Sequence, residues 1–317
     1  MSQTKKQSIA SNSRLWWIPF LCLIIGGALL GIATNIAKYA IESGLTPLAF
    51  LFWSISGAAL ILLLIAYLRG ELLAPSARSF EYYIVAALVS VAGSNLIFFS
   101  AIPHVGAGFV ALTISLPPLL TYLAALAIRI ERFNTLRAVG VAAALAGAGV
   151  LAARKFSAPD TSAFWIGLAL CGPVLLAIGN IYRSLRWPDN ASPIALAPGM
   201  LIASAIMLGL VGMLPTFTLA IPAIEILPIS LIILQACIFA GQFVLLFVLQ
   251  KTGGPVLLSL LGAVGAVVGV PVAIFLQGEA PPEGLFIGAS LIALGVALVT
   301  WGGIKMTRLS INEPYND

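Results

Sequence analysis

Long apolar runs separated by short polar punctuation set the pattern of this chain. Ten runs stand out, at about 15–38, 47–68, 82–102, 106–128, 135–153, 163–183, 193–214, 226–249, 255–276 and 284–304. Each is near the roughly 20 residues with which an α-helix crosses the hydrocarbon core of a bilayer. The gaps are short and leave no room for an extramembrane domain. The pattern predicts an all-α membrane protein of ten transmembrane helices, with polar tails at 1–14 and 305–317. The first run is too long for a signal-peptide core, and no clean small-x-small cleavage site follows it, so it reads as a retained span.

Composition points the same way. Hydrophobic residues make up 61% of the 317 and charged residues 9%, where a soluble domain carries about a quarter charged. The net charge of +5 does not indicate a nucleic-acid partner, because the basic residues sit between apolar runs and form no patch. Cys22, Cys171 and Cys237 all fall inside runs and read as small packing residues, with no disulfide framework.

Lys and Arg give orientation, since cytoplasmic loops carry their excess. With the N-terminus inside, the outer segments hold only Lys38, Arg154 and Lys155, and the other thirteen of the 16 basic residues lie inside. Both termini are therefore expected in the cytoplasm, with the chain in the cell inner (plasma) membrane.

The punctuation repeats. "IERFN" (Ile130–Asn134) and "GEAPP" (Gly278–Pro282) place Glu131 and Glu279 148 residues apart. At the same offset Ala92-Gly93 answers to Ala240-Gly241, Gly140 to Gly288 and Gly147 to Gly295. Earlier in each half the offset slips by two or three residues: "NIAK" (Asn35–Lys38) answers to "NIYR" (Asn180–Arg183), and "TPLA" (Thr46–Ala49) to "SPIA" (Ser192–Ala195). The halves are then a first five-helix repeat over 15–153 and a second over 163–304. Five is odd, so the second half enters from the opposite face. The expected arrangement is an inverted repeat about an axis in the membrane plane, which recurs in transporters that alternate access around a midplane site.

Two such halves, each ending in a Glu-marked turn and a Gly-rich helix, resemble the EamA family of the drug/metabolite transporter superfamily. "FFSAIPHVGAGFVALTISLPPLLTYLAALAIRIERF" (Phe98–Phe133) is similar to that family's pattern through helices 3 and 4. The chain departs from the family where a Trp-Gly pair is frequent in helix 1 ("GGALLG", Gly26–Gly31, here) and where Arg is frequent early in helix 2 (Trp53 here). The resemblance implies a metabolite transporter and, for direction, export.

Enzyme chemistry finds little support. The acidic residues all sit at helix ends, turns or termini, and the single histidine, His104, falls at the outer end of helix 3. That leaves no metal cluster, no acid/base pair and no buried proton carrier. No GxxxxGK loop occurs, so ATP does not drive the protein directly, and no cofactor is implied. A facilitator is expected.

Mid-span polar groups are the remaining candidates. Ser94 and Phe98 share a face on helix 3, with Asn95 beside them; Gln235, Phe239 and Gln242 form one stripe on helix 8; Ser115 and Tyr122 share a face on helix 4. For Asn95, Gln235 and Gln242 a cavity lining competes with hydrogen bonding between helices, and for single Ser and Thr the bonding role is the stronger. Pro117-Pro118 weakens helix 4, and Pro271 with its glycines weakens helix 9 at the corresponding place, a sequence pointer to a binding site. Gly27-x-x-x-Gly31, Gly265-x-x-x-Gly269 and Gly284-x-x-x-Gly288 read as helix-packing motifs. Lys38 and Arg183, each three residues after an Asn (Asn35, Asn180), either anchor at the interface by snorkelling or draw a carboxylate to either mouth. The expected function is movement of amino acids or similar amphipathic solutes. An importer of a vitamin- or nucleobase-like solute and a non-transporting receptor or assembly subunit are the alternatives. The partners are the bilayer and a small-molecule substrate; the sequence carries no reading of oligomeric state.

Overall fold

The computed structural model describes residues 17–72, 76–129, 133–156, 162–189, 191–221, 226–281 and 283–312. Every regular element among them is helical. Seven helical stretches are long and apolar enough to cross a membrane, and three apolar helices are shorter: Thr135–Leu151, Leu261–Phe275 and Leu285–Val299. Glu131, the first mark of the repeated punctuation, lies outside the described residues.

In chain order the helices are α1 (Trp17–Glu42), α2 (Pro47–Leu68), α3 (Ala77–Ala87), α4 (Gly93–Val105), α5 (Ala107–Thr113), α6 (Pro117–Ala127), α7 (Thr135–Phe156), α8 (Ala163–Leu185), α9 (Pro193–Gly212), α10 (Ile226–Ser259), α11 (Leu261–Phe275) and α12 (Leu285–Asn312).

The repeated tetrapeptides start helices in the same way. Thr46 caps α2 by accepting from the Ala49 N–H at 3.1 Å, and Ser192 caps α9 by accepting from the Ala195 N–H at 3.1 Å. The next residue is Pro47 or Pro193, at the first helical position, where the missing N–H costs nothing.

Several limits differ from the sequence pattern, and the ninth run, expected from 255, starts as α11 only at Leu261. The third run begins earlier and ends later, because Ser76 caps α3 with a reciprocal Ser79 contact and a π-turn (Leu88–Ala92) carries the helix on into α4. The eighth does not stop near 249; α10 continues to Ser259, through Gln250, Lys251, Thr252 and the Gly253-Gly254-Pro255 sequence. The last continues to Asn312, through residues assigned to the tail.

Glycine sets the closest helix contacts. A Cβ on Gly31 would collide with the Gly265 carbonyl and one on Gly27 would stand 2.5 Å from the Val264 side chain, so α1 and α11 lie nearly backbone to backbone. Between α7 and α12, a Cβ on Gly140 would come 2.7 Å from the Gly295 carbonyl, and one on Gly147 2.6 Å from the Gly288 carbonyl. Under the offset of 148 these two contacts exchange places.

The packed interior is apolar, with Phe50, Phe99, Phe109, Phe239 and Phe247 buried. Many large apolar side chains face outward, among them Leu64, Ile206, Leu210, Phe275 and Phe286. A surface of that kind suits lipid, where backbone polar groups must be satisfied inside helices.

Candidate functional site

Two helix breaks meet at the centre of the bundle. The segment Ile114–Leu116 separates α5 from α6, and Leu260 separates α10 from α11. Pro117 opens α6 where its missing N–H is tolerated, while the Ser115 and Thr113 hydroxyls donate to the Leu112 and Val110 carbonyls at 2.6 and 2.8 Å. Gly262 packs against the Ile114 carbonyl so closely that a Cβ there would collide with it. Ile114 and Gly262 are themselves 148 residues apart.

Beside this crossing lies a cavity of ≈ 80 Å³. It brings together seven of the residues singled out in the sequence: Asn95, Phe98, Pro117, Asn180, Arg183, Phe239 and Gln242. Phe99 and Phe239 stack with ring centres 6.4 Å apart, and Phe243 follows at 5.9 Å from Phe239, giving one aromatic wall. The polar part is amides and one cation. The Asn95 amide donates to the Val91 carbonyl at 2.9 Å. Gln242 is buried, and its Oε1 has no partner among the described residues.

Arg183 also lines the cavity. It is 1% exposed and is the largest fully buried side chain. Its Nη2 donates to Asn180 Oδ1 at 2.8 Å and its Nε to Gln250 Oε1 at 3.2 Å. It makes no ion pair among the described residues. This is not a snorkelling position: the guanidinium is held among neutral amides inside the bundle.

The matching basic residue behaves otherwise. Lys38 Nζ lies 2.9 Å from Glu279 Oε1 and 3.8 Å from Glu42 Oε1. The Glu279 carboxylate also accepts from the Ala107 and Gly108 N–H groups, at 2.8 and 3.0 Å, at the start of α5. Gly106 makes this possible: it turns the chain between α4 and α5 at φ +87°, where a side chain would be strained and would crowd the carboxylate. Burial raises the Glu279 pKa, but the Lys38 ammonium and the two backbone N–H groups outweigh it and hold the carboxyl below its usual value. A second cavity, of ≈ 440 Å³, lies at this end, lined by Lys38, Glu42, His104, Phe109 and Glu279 among others. His104 stacks on Trp165 with ring centres 3.9 Å apart.

The other candidates lie elsewhere. Asn35 ties helices together, its Nδ2 donating to the Gly31 and Gly269 carbonyls at 2.9 and 3.0 Å. Ser94 and Gln235 are fully buried, with side-chain polar atoms that lack partners among the described residues, and neither lines the cavity. The Tyr122 hydroxyl accepts from the Asn134 N–H at 2.9 Å, and the Arg137 guanidinium lies 4.3 Å from the centre of its ring. Ser115 lines a wide groove of ≈ 900 Å³ between α11 and α12, among apolar residues such as Val267, Phe286 and Trp301. That groove offers hydrocarbon-like surface and few groups that orient a polar solute.

Ser90 is a cavity residue that sequence reasoning passed over. The π-turn presents it against Gly179, where a Cβ would collide with its Oγ, and that Oγ lacks a partner among the described residues. No proline or charge in Leu88–Ala92 signals the π-turn. Gln250 was missed because it sits beyond the predicted end of its run. Among the described residues no three His, Cys, Asp or Glu side chains cluster as a metal site.

No curated protein matches the chain. A solved crystal structure matches with a TM-score of 0.64 at 18% identity, covering 93% of this chain and 99% of its own, a likeness of fold alone. Residues 17–153, from α1 into α7, match the EamA-like transporter family.

Proposed function

We propose that the protein is a ten-span carrier of the cell inner membrane that exports small organic metabolites, amino acids or similar amphipathic solutes. It works by alternating access between two inverted five-helix halves, with both termini in the cytoplasm. The observation that carries this reading is the cavity beside the crossing of two broken helices, with an aromatic wall and two polar atoms, Gln242 Oε1 and Ser90 Oγ, that have no partner among the described residues. Such a lining suits a solute with one apolar and one polar side. The exchange of the Gly140–Gly295 and Gly147–Gly288 contacts under the repeat supports two-fold related halves. The match of residues 17–153 supports transport. Export rests on the family resemblance.

On this reading Lys38 and Glu279 sit at the outer end, and their ion pair of 2.9 Å supports a closing contact there. Access then alternates when that end releases. The carrier acts as a facilitator, with solute running down its own gradient, since no carboxylate lines the central cavity among the described residues. The test is uptake of a labelled metabolite panel by purified protein in liposomes. Gln242→Ala and Asn95→Ala are expected to fold, insert and lose flux. Wild-type rates in both would move the site elsewhere, and a panel that never crosses would remove the transport reading.

A further inference from the structure

We infer that the central cavity selects a small organic monocarboxylate carrying no ammonium group, bound through Arg183; this sets amino acids aside from the solute classes named above and rests on the transport reading alone. An ionised side chain inside a membrane bundle is costly and is retained where a charge must be met. Arg183 is buried, yet its partners among the described residues are the neutral oxygens of Asn180 and Gln250. No carboxylate lines the cavity with it. Hydrogen bonds to amides satisfy some of its five donors but do not cancel its charge.

Charge balance then decides among ligands. One carboxylate neutralises one guanidinium, in a geometry that permits paired N–H···O bonds. A zwitterionic amino acid would leave the cavity at +1, its ammonium facing no acid. A phosphate dianion would leave it at −1. The unpartnered polar atoms fit the monocarboxylate also. Ser90 Oγ sits against Gly179, one helical turn from Arg183, and Gln242 Oε1 lies in the same lining. Both accept from a hydroxyl, so a hydroxy acid places its carboxylate at Arg183 and its hydroxyl at Ser90 or Gln242. At about 10–15 Å³ for each water-sized group, a cavity of ≈ 80 Å³ holds roughly six such groups. Phe98, Phe99 and Phe239 receive the short apolar part.

Three probes of one size separate the possibilities: 2-hydroxybutyrate, 2-aminobutyrate and the neutral 2-hydroxybutyramide. Each is measured by flux into proteoliposomes, with protein-free vesicles to subtract passive leak, and by the thermal shift it gives the purified full chain. The expected result is flux and a raised melting temperature with 2-hydroxybutyrate, both at least about tenfold weaker in apparent affinity for the other two, the scale of a lost charge-assisted hydrogen bond. Arg183→Gln is expected to remove that preference. Gln242→Glu, which brings an acid to the guanidinium, is expected to do the same and serves as the test if Arg183→Gln does not fold. Flux of 2-aminobutyrate or the amide equal to that of the hydroxy acid, or a preference unchanged in the variants, overturns the inference and leaves transport standing. If no probe crosses, the labelled metabolite panel decides whether the protein transports at all. The thermal shift then decides the site: a shift by 2-hydroxybutyrate lost in the variants upholds the anion site, and no shift overturns it.

Discussion

Lys38 and Arg183 follow the same Asn-Ile-x signature in the two halves, yet they meet opposite fates. Lys38 finds a carboxylate that also caps a helix, so cation, anion and two backbone donors satisfy one another. Arg183 finds two amides and the wall of a cavity. A half-buried charge that is fully paired holds structure together. A buried charge left with neutral partners is available for a ligand. On the proposed reading, corresponding positions of the two halves then serve a closing contact in one and solute recognition in the other.

Substitutions at the two ends sharpen this contrast, and the largest effect is expected where pairing is complete. Glu279→Ala leaves Lys38 and two N–H groups without their acceptor, a loss of about 2–4 kcal/mol. A drop in melting temperature of the purified protein measures it, and adding Lys38→Met is expected to recover part of the loss. A melting temperature unchanged in Glu279→Ala would mean that the pair holds nothing.

At the crossing between the ends, Gly262→Ala sets a methyl against the Ile114 carbonyl. Backbone on both sides leaves little room to yield, so a cost of about 1–3 kcal/mol is expected, with lost flux. Full stability and flux would show that the two breaks separate readily.

Arg183→Met is expected to cost less, about 1–2 kcal/mol, because it relieves a buried charge but leaves the Asn180 and Gln250 oxygens without their donor. Destabilisation as large as that of Glu279→Ala would make Arg183 a strut, like Lys38.

The smallest effect is on pH dependence. Glu279 has a lowered pKa, so its contribution is fully present above the ordinary carboxyl value of 4.5 and fades as pH falls through the lower value in the folded protein. Stability should be flat in this respect near neutrality and decline in acid, and Glu279→Gln should lose that part of the decline. A midpoint above 4.5 for this component would reverse the sign of the electrostatic argument.

Much of the fold was legible because helix starts and close contacts have local signatures. Thr46-Pro47 and Ser192-Pro193 encode the caps, Pro117-Pro118 encodes a break, and the glycines encode backbone contact. The π-turn at Leu88–Ala92 was not legible, since no breaker residue marks it, nor was the run of α10 past Lys251, where Gly253, Gly254 and Pro255 read as a stop. The site was legible in type: amides and aromatics at helical spacing do converge, as Phe98, Phe239 and Gln242 show. Helical spacing does not say which stripe faces which neighbour. Gln235 and Ser94 thus fall outside the lining, while Arg183, whose position suggested an interfacial anchor, turns inward.

The central claim is that solute passes through a cavity whose Lys38 end must open and close. It is tested most directly by joining that end covalently: Lys38→Cys with Glu279→Cys, in a chain whose Cys22, Cys171 and Cys237 are replaced by Ser, bridged by a short thiol-reactive cross-linker in protein reconstituted into liposomes. The account predicts that bridging stops flux and that a cleavable linker restores it on reduction, while each single-cysteine variant treated alike is unaffected by the reagent. Undiminished flux through the bridged protein would contradict alternating access at this end.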